Sequence, residues 1–272
     1  MHDDAGAPGF ESRVPADLSV AFQPIIDTVD RTVFSYEALL RGSRGEPAGS
    51  LLARVGAADM HRFDQICRDR AIRMAVQLGM DTHINLNLLP NGVFGSGQWI
   101  KQSLDAARSS GFPLHRIILE VTEGEAIEDH GGFARLINAY RRQGIKLAID
   151  DFGAGYAGLN LLADFQPDLV KIDMSLVRGI QSNGPRQAIV RGIWQVCTDL
   201  GIDVIAEGVE TREEYQWFAQ LGVRLFQGYL FAKPGFECLP PVLFPATSTV
   251  APRFRNKGAK GWCRETRREE ES

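Results

Sequence analysis

The sequence predicts an α/β protein whose strands close into a (β/α)8 barrel, made irregular by one antiparallel strand. Three observations point there. Strand-like and helix-like patterns alternate along most of the chain, as in a mainly parallel sheet with helices outside. The first two strands, Leu18–Ile26 and Thr32–Leu40, are separated only by DTVDR, too short for a parallel crossover, so they should pair antiparallel. Polar side chains also interrupt the ends of seven apolar strand runs. In an open sheet with strands about 4.8 Å apart, seven ends would spread over roughly 29 Å, whereas a closed barrel gathers them round one mouth.

Taken in order, residues 1–16 mix Gly, Pro, Asp and Ser without periodicity and read as a disordered tail. The domain is expected over 17–246. After the opening strand pair the pattern turns helical from Leu51, with Phe63, Ile66, Cys67, Met74, Ala75 and Leu78 marking one buried face. Further strands are expected near His83–Leu88, Arg116–Val121, Ile145–Asp150, Leu169–Ile172, Asp203–Ala206 and Val223–Phe226. Helical patterns lie near Trp99–Ala107, Phe133–Arg142, Arg186–Leu200 and Arg212–Leu221, while AGLNLLADFQP has room for only a short helix. Residues 247–272 read as a charged, disordered tail.

Composition narrows the class. A 44% hydrophobic fraction over 272 residues supports a sizeable core in a soluble protein. The net charge of −4 argues against a nucleic-acid polymer as partner. No apolar run approaches a membrane span, and MHDDAGAPGF lacks a signal peptide's basic start and apolar core, so a cytoplasmic location is expected. The four cysteines lack metal-type spacing, and Cys67 and Cys197 sit in helical patterns where buried, reduced thiols are expected.

The stretch LAIDDFGAGYAGLN carries the chemistry. An apolar run stops at Asp150 and Asp151, and Gly153 and Gly155 follow. Carboxylates that close repel by roughly 4 kcal/mol at an effective dielectric near 20, so both stay ionised only with cations or water between them. A lone Asp pair fits an Asx turn that opens a helix. Here the other strand ends hold Glu37, Asn87, Glu120, Lys171, Glu207 and Gln227. Buried unpaired, each would cost several kcal/mol. Oxygen donors dominate, with no His or Cys ligand, which suits hard cations such as Mg²⁺, Mn²⁺ or Ca²⁺. Five carboxylates exceed the need of one Mg²⁺ and suit two metals about 3.5–4 Å apart, bridged by an Asp, a pair that commonly serves displacement at phosphorus. The residues alone therefore point to a two-metal phosphoester hydrolase.

The motifs have a family likeness. QPI at Gln23, EALLR from Glu37, LNLLP around Asn87, ILEVTE around Glu120, IDDFGAGYAGL, VKID around Lys171, VIAEGVE around Glu207 and FQGYLFAKP ending at Pro234 occur in one order. Together they resemble the EAL domain, the bacterial cyclic di-GMP phosphodiesterase, a TIM-like barrel with one antiparallel strand. The resemblance implies a first metal held by Glu37, Asn87, Glu120 and Asp150. A second would lie among Asp150, Asp151 and, directly or through water, Glu207. Lys171 matches the lysine that contacts the attacking water, and Glu207 a residue that helps to orient it. Gln23, Arg41 and Gln227 match substrate contacts, with Arg41 on a phosphate. Glu123 matches a glutamate that anchors the loop after Asp151.

It further implies hydrolysis of cyclic di-GMP to linear pGpG with Mg²⁺ or Mn²⁺, inhibition by Ca²⁺, and a homodimer. The alternative is a non-catalytic cyclic di-GMP receptor or protein-interaction module of the same fold. Single residues also have plainer readings: Arg41 as a solvated strand end, Lys171 in a surface ion pair with Asp173, and Glu210 as the cap of the following helix. Two departures stand out, Gly42 in place of a bulky aromatic and FGAGYAGL in place of FGTGYSSL. The sequence holds no sensory or GGDEF domain, so control is expected from a separate sensory or regulatory protein.

Overall fold

The computed structural model describes residues 17–90, 98–124, 127–155 and 158–245. Both expected tails and Cys263 lie outside these residues. Strands β1 (Leu18–Asp27) and β2 (Thr32–Gly42) form the antiparallel hairpin that the short connection required, in register from Leu18↔Gly42 to Asp27↔Thr32. Its turn is built by Asp27, whose carboxylate accepts from the Val29 and Asp30 amides at 2.9 and 3.1 Å.

From β2 the sheet runs in parallel through β3 (His83–Asn87), β4 (Ile117–Thr122), β5 (Lys146–Phe152), β6 (Leu169–Ile172), β7 (Asp203–Ala206) and β8 (Leu225–Phe226). It closes because the end of β1 pairs antiparallel with β8, at Ile26↔Phe226 and Asp27↔Leu225. The barrel is thus an eight-strand ring whose one antiparallel member is β1. A short strand that lacks a readable period, β9 (Gly235–Phe236), joins β1 at Ala21 and Phe22, farther along the edge that the two-residue β8 meets.

The helices cover the outside. The stretch expected to be helical from Leu51 is two helices, α1 (Ala48–Leu52) and α2 (Met60–Gln77), because the chain becomes extended at Gly56 before a 3-10 turn at Ala57–Asp59. Helices α3 (Gln98–Ser109), α4 (His130–Arg141), α5 (Gly158–Phe165), α6 (Met174–Val177), α7 (Gly184–Leu200) and α8 (Arg212–Leu221) follow. Only α6 was not anticipated, being a single turn. Arg116, expected to begin a strand, ends a 3-10 turn instead. Helix α8 opens with a capping box between Thr211 and Glu214, so Glu210 is not its cap.

Two apolar layers hold the barrel. A large cluster packs helix faces on the outer wall, including Phe133, Val190, Cys197 and Phe218. Inside, Ile25, Ile118, Ala148, Leu169, Ile205 and Leu225 fill the lumen. Cys67, Cys197 and Cys238 are free thiols, and burial pushes Cys67 and Cys197 up to about 12. No helix among the described residues is long and apolar enough to cross a membrane.

Candidate active site

The inner plug sets the site by simple alternation. Side chains two positions apart on a strand share a face. Two residues toward the mouth from Ile118, Ala148, Leu169, Ile205 and Leu225 stand Glu120, Asp150, Lys171, Glu207 and Gln227. On the reversed strand β1 the same step leads from Ile25 to Gln23, which pairs directly with Glu37 of β2. A polar layer therefore lies on an apolar floor, with each member aimed inward by its strand.

Lys171 occupies the centre of that layer at 1% exposure. Its Nζ lies 2.7 Å from Glu207, 2.8 Å from Asp150, 3.1 Å from Glu120 and 3.3 Å from Glu37. This rules out the surface pairing with Asp173. Gln227 is also buried and donates from Nε2 to Glu37 at 2.7 Å.

Strict alternation would turn Asp151 outward, away from Asp150. The backbone prevents this. Asp151 has φ +54, and the β5–β6 register shifts between Ile149 and Phe152, a bulge that re-aims the side chain. Asp151 thereby joins Asp150 and Glu207, with one carboxylate oxygen from each within 4.8 Å of the others. Glu123 braces the turn by accepting from the Gly153 amide at 2.6 Å, which is the anchoring place foreseen for it. Gly228 serves the opposite wall. A Cβ there would stand 2.0 Å from the Val209 carbonyl, so only glycine lets the chain after Gln227 pack on the loop after β7.

The electrostatics call for more positive charge. Burial, then Glu37 and Asp150, push the Glu120 carboxyl up to about 8 despite Lys171. Asp151 is raised to about 6 by desolvation, Asp150 and Asp173, and Glu207 is raised well above its usual value, first by burial. Burial opposes the charge on Lys171, but Asp150, Glu120, Glu207 and Glu37 outweigh it and hold the ammonium well above its ordinary value. One ammonium does not neutralise five carboxylates. The donor set fits two hard cations: Glu37, Glu120 and Asp150 form one triplet, Asp150, Asp151 and Glu207 another, and Asp150 is shared. Glu120 Oε2 and Gln227 Oε1 are buried and lack a hydrogen-bond partner among the described residues.

The remaining expected residues lie around this centre. Asn87 ends β3 in register with Glu120, which gives it the inward parity, but it is exposed and lines the cavity beside α1 and α2 with Arg41 rather than the cavity at the mouth. Gln23, Glu37, Asp151, Glu207 and Gln227 line a mouth cavity of about 240 Å³. Arg41 is on the same strand face as Glu37, four residues farther toward the mouth. However, it lines a separate cavity beside α1 and α2, where its Nη1 donates to the Leu40 carbonyl at 2.7 Å. Gly42, at the end of β2, is covered by the Glu46 side chain.

Sequence reasoning missed several neighbours. Buried Asn85 donates to Glu120 at 2.7 Å, and its spacing of two from Asn87 was the available signal. Asp173, Arg178, Glu210 and Tyr229 line the mouth cavity. Glu210 there pairs with Arg178, having left the helix cap to Thr211 and Glu214.

Fold and site together define a (β/α)8-type barrel with an acidic, oxygen-donor centre at the carboxyl ends of its parallel strands. More particularly, the chain belongs to the EAL domain family, which residues 14–234 match. Among solved structures it resembles a standalone versatile EAL protein of Vibrio cholerae O395 in its c-di-GMP-bound form, at 44% identity and TM-score 0.80, covering 84% of this chain and 96% of that one. It also resembles Klebsiella pneumoniae BlrP1 in a manganese and cyclic di-GMP complex, at 40% identity and TM-score 0.77, covering 85% and 59%. Two Escherichia coli K12 proteins are each 36% identical: the blue light- and temperature-regulated antirepressor BluF over 227 residues, and the probable cyclic di-GMP phosphodiesterase PdeD over 152. The matches take in 83% and 56% of this chain, but only 56% and 28% of those two relatives.

Proposed function

We propose that this chain is a metal-dependent phosphodiesterase that opens one phosphodiester bond of cyclic di-GMP to give linear pGpG. The observation that carries the reading is the pair of carboxylate triplets sharing Asp150, set round a buried lysine. Glu37, Asn87, Glu120 and Asp150 would hold one divalent cation, and Asp150, Asp151 and Glu207 the other, with Mg²⁺ or Mn²⁺ as the working metal. Such cations activate water and neutralise charge developing on the phosphoryl oxygens, and Ca²⁺ is expected to inhibit. Lys171 positions the attacking water, and Glu207, 2.7 Å from its Nζ, helps to orient it. Water adds to phosphorus as a ribose oxygen leaves with a proton. Gln23 and Gln227 contact the substrate at the mouth, and Arg41 takes a phosphate from its place beside the mouth.

The second reading is a receptor or protein-interaction module, favoured by one relative's name as an antirepressor. Against it stands the complete set of Glu37, Asn87, Glu120, Asp150, Asp151, Lys171 and Glu207. Chromatography of cyclic di-GMP incubated with the protein and Mg²⁺ or Mn²⁺ separates the readings. Conversion to pGpG that EDTA stops is expected. Tight binding with no product over hours would establish the receptor instead.

A homodimer also belongs to this proposal. On α7, Ile193 and Cys197 are core and Trp194 packs against it, but Val196 is 38% exposed. Ile189 at 52%, Leu200 at 48% and Leu159 of α5 at 64% exposure add apolar surface. Cytoplasmic location and control by a separate sensory protein complete the reading.

A further inference from the structure

We propose that Arg68, together with Asp64, positions Asn87 toward the cation of the Glu37–Glu120–Asp150 triplet. In one respect this rests on the function proposed above, namely that Asn87 is a ligand of that cation.

Asn87 is exposed, so packing does not set the direction of its amide and the backbone must. That backbone is held from two sides. On the barrel side the next residue, Leu88, donates from its amide to the Glu120 carbonyl at 2.8 Å. On the helix side Arg68 of α2 donates from Nη1 to the Asn87 carbonyl at 3.3 Å. The same Nη1 pairs with the Asp64 carboxylate one helical turn earlier. Asp64 Oδ2 in turn receives the Leu89 amide at 3.5 Å, the long end of a hydrogen bond. The ion pair thus grips the chain at Asn87 and again two residues later.

For the fold alone Arg68 is a poor choice. It is 3% exposed on the helix face that also buries Phe63, Ala71 and Ile72. Its Nε has no partner among the described residues. Well-packed apolar residues commonly stabilise such a position as much as a buried ion pair does, or more. What an apolar pair cannot do is hold the Asn87 carbonyl. The return on burying this charge is therefore geometric: it fixes the last residue of β3, where the strand ladder ends and one ligand must still be aimed.

The test is Mn²⁺ binding in the absence of substrate, followed as free Mn²⁺ by electron paramagnetic resonance beside thermal melting. The double variant Asp64→Leu with Arg68→Met replaces the pair with apolar groups. It is expected to melt at or above the wild-type temperature yet bind Mn²⁺ about tenfold more weakly, the scale typical of groups that orient metal ligands. Asn87→Ala should weaken binding to a similar extent, and adding it to the double variant should cost little more, because both act through one ligand. If the double variant fails to fold, Arg68→Met with Asp64→Asn removes the donor to the Asn87 carbonyl, leaves an amide oxygen to accept from Leu89, and should show the same loss. Unchanged Mn²⁺ affinity in a folded double variant would overturn the positioning role, as would a further tenfold loss on adding Asn87→Ala. If Asn87→Ala itself binds Mn²⁺ like wild type, the assignment of Asn87 as a ligand fails, and this proposal with it.

Discussion

Replacing Lys171 by Met removes the one ammonium at the centre of the acidic layer. Four carboxylates lie 2.7 to 3.3 Å from it. At about 3 Å and an effective dielectric near 20, each contact in isolation is worth about 5.5 kcal/mol. The sum is not the answer, because taking the ammonium out of water costs several kcal/mol and the carboxylates repel one another. Loss of one member of a buried ion cluster typically destabilises by about 3–5 kcal/mol. In a domain of this size about 1 kcal/mol moves the melting temperature by about 2–4 °C, so Lys171→Met should lower Tm by about 6–20 °C in EDTA. The deficit should grow with pH. Carboxyls such as Glu120, already pushed up to about 8, take up protons as pH falls and so relieve the repulsion the lysine leaves behind. Saturating Mn²⁺ should return part of the loss, about 2.7 kcal/mol at a hundred times Kd. Melting curves in EDTA at pH 6.5 and 8.5, then with Mn²⁺, test each step. A variant melting within about 2 °C of wild type in EDTA at pH 8.5 would refute the view that the ammonium holds these carboxylates together.

Asp150→Asn removes the charge common to both triplets and should lower turnover of cyclic di-GMP by at least ~100-fold while weakening both cation sites. Near-normal hydrolysis in Mg²⁺ would sink the two-metal scheme. Cation affinity should rise with pH. Glu120 titrates near 8 in the folded, cation-free protein against an ordinary 4.5, so the fold holds a proton through that window, and the stability linked to it fades as pH climbs toward 8. A cation must displace that proton, and those on Asp151 and Glu207, which are raised as well, so Mn²⁺ should bind more tightly at pH 8 than at pH 6, and a flat profile would mean these carboxyls are already ionised. If the apolar surface of α5 and α7 seats a second copy, specific activity should rise with protein concentration through the dissociation range seen by sedimentation. A monomer of constant specific activity would remove the dimer from the mechanism.

The layer at the mouth was legible because polar side chains end apolar strand runs; from β4 to β8 each stands two residues beyond an inward apolar one, as Glu120 follows Ile118 and Lys171 follows Leu169. The hairpin was legible from loop length alone. Features outside a period were not. Helix β-sheet reasoning that counts apolar positions passes over Arg68, a charge on the buried face of α2. The strand β9 and helix α6 are too short to show periodicity, and the ion pair of Arg178 with Glu210 joins two loops distant in sequence. Arg41 illustrates the limit of parity, which places a long side chain on a face but does not say which cavity its head enters.

Regular strands cannot by themselves build this centre. Inward positions on one strand are about 6.6 Å apart, so a regular β5 would turn only one of Asp150 and Asp151 inward, whereas the two cations proposed above would use both. Strand β5 meets the demand by turning Asp151 into the left-handed region at φ +54 and breaking the ladder between Ile149 and Phe152. The Gly153 amide is recovered by Glu123, and the Phe152 carbonyl accepts from the Asp173 amide at 3.1 Å. The conformation still costs Asp151 about 1–2 kcal/mol, and its charge is opposed by desolvation and by Asp150. Asp151→Gly should relieve both. Glycine's extra freedom in the unfolded chain takes back about 0.5–1 kcal/mol, leaving a net gain of about 1 kcal/mol, or about 2–4 °C in Tm, in EDTA. The same variant should lose the second cation and most turnover. Stability and activity would then move in opposite directions, as expected where strain is held at a functional site. A lower melting temperature for Asp151→Gly in EDTA would mean that the carboxylate supports the fold, and that the turn at β5 carries no strain on behalf of the cation.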